Sequence, residues 1–237
     1  MSQFTLMEDT MPALETQVTP RRSFLGLIAA GSAAVALTGL GLHGAAPDAS
    51  AEEANAVGYS EAWLGKLTGK HKQFFDATTT NQFALVFAMN FLNSYNDTYK
   101  IPDANLSAVV GLRHFAIPIG LSDDIWSRYK VAEFVQAMDP ASKSPYMRNF
   151  LNHPQGGDMM FPNAAVDKLV ARGVQFTCCN VAITAVSGLL AKNAGVTPDV
   201  AKAEWIAGLL PGVILVPSGV LAVNRAQEKG CTYCNAG

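Results

Sequence analysis

Apolar positions along this chain fall into short dense runs and longer periodic ones. HKQFFDA (71–77) is a short run that suits a first strand. In NQFALVFAMNFLNSYNDTY (81–99) the apolar side chains sit at Phe83, Val86, Phe87, Phe91, Leu92 and Tyr95, a helical spacing. Thr80 is placed to cap that helix, and Ile101-Pro102-Asp103 to break it. LSAVVGLRHFAIPIG (106–120) reads as the longest β-like stretch, and its 108–112 core is apolar on both faces, as buried parallel strands are. LSDDIWSRYKVAEF (121–134) reads as a helix. Ser122 is its cap, and Asp123 and Asp124 lie where the helix dipole favours anions. Trp126, Tyr129 and Phe134 follow at helical spacing as core.

The pattern lapses over 139–162, which holds four prolines and a Gly-Gly pair. A loop of that length inside a compact domain points to a functional or assembly role. Order then returns. NAAVDKLVARG (163–173) predicts a helix closed by glycine, VQFTCC (174–179) a strand, and NVAITAVSGLLAKNAG (180–195) a helix. TPDVAKAEWIAGLL (197–210) is a helix with Thr197 as cap and Pro198 at its first position. GVILVP (212–217) is a buried strand, SGVLAVNRAQEKG (218–230) a helix, and CTYC (231–234) a last strand. Residues 52–69 are mixed and read as a linker or surface arm. Strands alternating with helices predict an α/β, three-layer α/β/α fold with a mostly parallel sheet of about five strands.

The first 51 residues change the picture. TPRRSFLGLIAAGSAAVALTGLGL places Arg21 and Arg22 ahead of Phe24 and Leu25, then an uncharged run to Leu42, with Ala49-Ser50-Ala51 as a small-residue cleavage site. This resembles a twin-arginine (Tat) export signal, with Pro20 where that pattern has Ser or Thr. The resemblance implies a Tat translocase as partner during export and a periplasmic or extracytoplasmic destination. Cleavage is preferred to an uncleaved membrane anchor, because the run is rich in Gly and Ala and no Lys or Arg follows it before Lys66. Removing 1–51 takes Lys+Arg from 17 to 15 and Asp+Glu from 19 to 15. A mature charge near zero argues against a nucleic-acid binder, which needs a basic footprint. The remaining ~186 residues suit one domain.

GVQFTCCNVAI, followed by LLPGVILVPSGVLAVNRAQEKGCTY, resembles the DsrE/F-like family: a strand entering a cysteine at a helix start, then a strand, a Val-Pro-Ser-Gly-Val turn, a helix and a short final strand. LRHFAIPIGLSDDIWSRYKVAEF resembles its exported branch. The likeness spans about 70–237, with 139–162 as an insertion. It implies a three-layer domain that forms homo-oligomers and binds or relays sulfur as a cysteine persulfide, a sulfurtransferase-like activity if it is an enzyme. The Cys178–Cys179 doubling, Cys231 and Cys234 depart from the pattern.

Ligands of open α/β sheets bind beyond the carboxyl ends of the strands. Cys179 is expected there, at the start of a helix, where thiols gain thiolate character. Cys178, one residue earlier, faces the other way and reads as packing. The bland alternative makes both core residues. His114 ends the second predicted strand on the same side and, with Arg113, could orient an anion or tune a thiolate. Asn180, Ser218 and Gly219, at helix starts, are ligand-binding candidates, although Ser218 also serves as a plain cap. Cys231 and Cys234 have CxxC spacing, but ~10 Å separates i and i+3 in a strand, too far for a disulfide. No cofactor is predicted. A persulfide on Cys179, or a soft metal held by Cys179 with His114 and His153, remains open. Three functions follow from these residues: a sulfur or thiophilic-ligand protein, a non-catalytic oligomeric scaffold using 139–162, and a periplasmic metal binder.

Overall fold

The computed structural model describes residues 59–237. Five strands form one all-parallel sheet: β1 (His71–Ala77), β2 (Leu106–Leu112), β3 (Gln175–Cys179), β4 (Val213–Val216) and β5 (Thr232–Asn235). Their spatial order is β4-β3-β2-β1-β5. The first three crossovers step in one direction, so right-handed connections put their helices on one face of the sheet. These are α2 (Phe83–Tyr99), α3 (Asp123–Arg128), α4 (Val131–Val135), α5 (Val166–Ala171), α6 (Asn180–Ala194) and α7 (Pro198–Ala207). The β4-to-β5 connection steps back, and its helix α8 (Gly219–Glu228) covers the other face. The architecture is the expected three-layer α/β/α one.

Two cores follow from strand alternation. The larger joins Phe75, Ala77, Val110, Leu112, Phe176 and Cys178 to the six-helix layer, with Trp126, Tyr129 and Trp205 fully buried in it. The smaller joins Phe74, Val109 and Val216 to Ala222 and Ala226 of α8 and to Trp63, Leu64 and Leu67. Those last three flank or form α1 (Ala62–Gly65), so the described part of the 52–69 segment contributes buried side chains to the smaller core. Burying Phe74 contributes about 2–3 kcal/mol. Its ring lies over Gly111, where a Cβ would come 2.2 Å from Cζ, so β2 needs a glycine there.

Several expectations need correction. The β-like stretch 106–120 is a strand only to Leu112; His114–Gly120 is a 3-10 helix. His114 turns the chain with φ 49°, Pro118 carries no N–H for a ladder, and the Trp126 indole N–H donates to the Pro118 carbonyl at 2.9 Å. The 121–134 helix is broken at Lys130 (φ 52°) into α3 and α4. The helix expected from 163 begins at Val166, after a 3-10 turn over Pro162–Ala164. β4 is half-exposed rather than buried, because it is an edge strand. Neither Thr80 nor Ser122 caps: the Thr80 hydroxyl donates to the Phe115 carbonyl, and Asn81 Oδ1 takes the Phe83 N–H at 2.8 Å instead. Thr197 does cap α7, accepting from the Val200 N–H, and Pro198 opens it.

Candidate functional site

β1 ends in Phe74-Phe75-Asp76-Ala77, and alternation turns Asp76 to the α8 face. The Asp76 residue is 2% exposed, and a carboxylate that deep needs partners. It has them. Arg113, just past β2, donates from Nε to Oδ1 and from Nη2 to Oδ2, both at 2.7 Å, and the Tyr233 hydroxyl of β5 donates to Oδ2 at 2.8 Å. The Asp76 hydrogen bond raises the already high Arg113 pKa and pushes the Tyr233 phenol up, so both stay protonated. The third guanidinium nitrogen, Nη1, lies 2.8 Å from His114 Nδ1. A guanidinium only donates, so the network assigns Nδ1 as acceptor and leaves the exposed Nε2 to carry the N–H of a neutral ring. His114 holds its left-handed backbone at this junction.

Cys178 and Cys179 were expected to face opposite ways, but both belong to the larger core, because the chain turns from β3 into α6 at Cys179. Cys178 is fully buried in the larger core, and burial pushes its thiol up, which keeps it S–H. Cys179 ends β3 and is 6% exposed; its Sγ accepts the Ala182 N–H at 3.4 Å, so the sulfur caps α6. The ladder pairs Leu112 with Cys178 and Cys179 with Val216. Arg113 follows β2 directly, one position beyond the end of its ladder with β3. α8 leaves β4 and packs against the residue beyond β2: a Cβ on Gly219 would lie 2.6 Å from Arg113 Cβ. Because β3 lies between those strands, the first turn of α8 passes over the end of β3. Ser218 precedes that turn without a side-chain capping bond, and Asn180 opens α6 with its buried Oδ1 lacking a partner among the described residues.

Cys179, His114, Asn180, Ser218 and Gly219 thus all lie along the carboxyl edge of the sheet, where Arg113 reaches His114 and packs against Gly219. Asp76, Tyr233 and Thr177 complete the edge and were not singled out from the sequence. A lone acid inside the apolar run FFDA was the available signal for Asp76. Cys231 and Cys234 are separated: Cys231 packs in the smaller core and Cys234 against the larger, and burial raises both thiols. All four cysteines are free. His153 sits in the loop, 3.3 Å from Asp167. Among the described residues no group of three or more His, Cys, Asp or Glu is placed to hold a metal ion, so Cys179, His114 and His153 do not form one. No helix among those residues is long and apolar enough to cross a membrane. Arg21, Arg22, Phe24 and Leu25, expected to form an export signal, lie outside the described residues.

What the fold and edge define is a parallel α/β protein with a buried ion pair and a helix-capping thiol at the ligand end of its sheet. No family model matches the chain, and no curated protein does. Among solved structures, a protein of unknown function from Methanobacterium thermoautotrophicum is similar at 16% identity, covering 70% of this chain and 99% of that one, with a TM-score of 0.34. A likeness at that level carries no conclusion about either protein.

Proposed function

We propose that this chain is a Tat-exported, DsrE-like protein that takes a sulfane sulfur, or another small thiophilic ligand, on Cys179. One observation carries the reading: the Cys179 sulfur sits at the carboxyl edge, at the start of a 15-residue helix whose Ala182 N–H points at it. Such a helix start favours an anionic sulfur, including the terminal sulfur of a persulfide. The persulfide forms when the Cys179 thiolate attacks the outer sulfur of a sulfane donor and the donor leaves as its own thiolate. Arg113 and His114 border the position where that ligand would lie. Export through the Tat translocase would deliver the protein, already folded, to the periplasm.

The test is mass-spectrometric persulfide loading of the full chain from a small-molecule persulfide donor. Loading is expected on Cys179 and lost in Cys179→Ser, while Cys178→Ser still loads. Unchanged loading of the Cys179→Ser variant would sink the reading. In the folded protein Cys179 is also expected to alkylate before Cys178.

A second reading, a non-catalytic homo-oligomeric scaffold, draws on the loop. Met138, Met147, Met160 and Phe161 are all exposed in or beside it, at 52%, 63%, 76% and 44%. Light scattering on Met147→Ser/Met160→Ser tests this; an unchanged mass would remove the loop from any assembly.

A further inference from the structure

Helix α2 carries a single charged side chain, Asp97, in its 17 residues. A stretch of that length ordinarily holds about four. Its surface is aromatic instead. Phe83, Phe87, Phe91, Tyr95 and Tyr99 recur at every fourth position from the first residue of the helix to the last. Positions four apart are neighbours on a helix surface, so the five rings form one ridge, inclined to the axis by about 26°. Ala84, Leu85, Ala88, Met89 and Leu92 are buried toward the sheet. On one flank the side-chain oxygens of Asn93 and Asn96 accept from Arg172, which follows α5. The ridge takes the other flank. There only β5 lies beyond β1 in the sheet, and among the described residues α2 is the last helix of its layer. Phe83, Phe87 and Tyr99 are accordingly 55%, 38% and 67% exposed.

The rings are also held in place. Phe91 meets Phe75 of β1 edge-on with 6.0 Å between ring centres, and Tyr95 stacks on His71 of β1 at 4.4 Å. Along the ridge, Tyr95 lies 5.1 Å from Phe91 and 5.5 Å from Tyr99, and Phe83 lies 6.2 Å from Phe87. Rings ordered in advance lose little freedom when a partner covers them. Aromatic side chains of this kind are enriched among the residues that carry binding energy in protein contacts.

We propose that this ridge is a two-fold contact between copies of the chain, α2 against α2. Two observations select that occupant. An i, i+4 ridge fits the groove beside the same ridge on a second helix, with the axes crossing at about −50°, so the surface is complementary to itself. Charge points the same way. Asn90, Ser94 and Thr98 are exposed on the helix alongside the rings and are uncharged, so two copies meet without like charges opposed. A formal net charge of −2 on the whole chain opposes pairing only slightly. A charged partner would find little to pair with on α2, and a lipid surface would need the Lys and Arg that α2 lacks. Area sets the strength. The exposed parts of Phe83, Phe87 and Tyr99 amount to roughly 300 Å². A standard interface takes about 800 Å² from each partner, so this pair belongs to the small, weak class even with the polar positions added. The inference goes beyond the sulfur chemistry of Cys179 and does not use the 139–162 loop.

Sedimentation equilibrium of the full chain over a range of concentrations tests the contact. A monomer–dimer equilibrium is expected, half-associated at a concentration on the order of 10–100 μM. Ser94→Arg adds bulk and like charge to the face at an exposed position where a helix accepts arginine readily. It should weaken the dimer by more than about 10-fold and leave the melting temperature of the monomer unchanged. Phe83→Ser, which removes one exposed ring, should weaken it in the same direction. Leu189→Arg, 57% exposed but on α6, should leave the dimer intact. A chain that stays monomeric throughout gives the ridge to another occupant and overturns the proposal. So does an assembly that Ser94→Arg and Phe83→Ser leave unchanged, one that Leu189→Arg weakens as much, or one that only Met147→Ser/Met160→Ser breaks. Persulfide loading of Cys179 enters none of these outcomes, so failure here and failure of the sulfur reading are told apart.

Discussion

Asn149 and Thr177 are each 1% exposed, and they are treated in opposite ways. In the 139–162 loop the Asn149 amide donates to the carbonyls of Ile119 and Leu121 at 2.9 and 2.7 Å, its Oδ1 takes the Leu151 N–H, and its own backbone N–H goes to Asp123. Asp158, nearby, takes bonds from Arg148, Tyr146 and the Gln155 N–H. The loop has no regular structure, so side chains replace the missing ladder and settle its polar groups internally. In the strands and helices the backbone is regular, yet Gln82, Thr177, Asn180, Ser187 and Trp205 each leave a buried side-chain atom unmet among the described residues. Irregular backbone alone was therefore a poor guide. The loop settles its polar groups side chain by side chain, and the regular layers leave several over.

The largest expected effect tests the first half of that contrast. Asn149→Ala should cost about 3 kcal/mol in chemical denaturation, because it strands two buried carbonyls and a backbone N–H. A loss below about 1 kcal/mol would mean the loop relaxes freely and is no scaffold. Next comes Asp76→Asn, which leaves Arg113 facing a neutral amide. Arg113 is about a quarter exposed, so water relieves part of the deficit and the expected cost is about 2 kcal/mol. If it equals or exceeds that of Asn149→Ala, the edge is as structural as the loop and the comparison breaks.

The smallest effect sharpens the contrast at a third place. Hydrogen bonding to Arg172 holds the Asp103 carboxyl below its usual range, against the opposing pull of burial. Its folded pKa is lower than its unfolded value of ~3.9. The pair therefore contributes fully above that value and loses its contribution as pH falls through the folded midpoint. Melting curves from pH 7 to pH 3 should fall less steeply at the acid end in Arg172→Met than in the unmodified chain. Parallel curves would mean the pair is indifferent to folding.

Much of the fold was legible because local period decides it. HKQFFDA is a strand from His71 to Ala77 as read, and VQFTCC and NVAITAVSGLLAKNAG become β3 and α6 within a residue. Apolar content misled at 114–120, where Pro118 and the turn at His114 exclude a ladder whatever the hydrophobicity. Exposure of β4 depends on sheet order, which no local pattern encodes. The site divides the same way. Cys179, His114, Ser218 and Gly219 could be placed on the edge by reading where strands end. Asp76 and Tyr233 meet across 157 positions of sequence, through the register of two strands that are neighbours in the sheet but far apart in the chain, and nothing near either one announces the other.

That same long pairing sets a timetable. β5 lies against β1, with the Thr232 hydroxyl on the Lys72 carbonyl across 160 positions. During synthesis, at roughly 5–20 residues per second, β1 would wait at least about eight seconds for its outer neighbour. For that interval a strand edge with free N–H and carbonyl groups stays open to other chains. The ribosome must release nearly the whole domain before its sheet can close, so any factor that shields the emerging chain has most to do at β1.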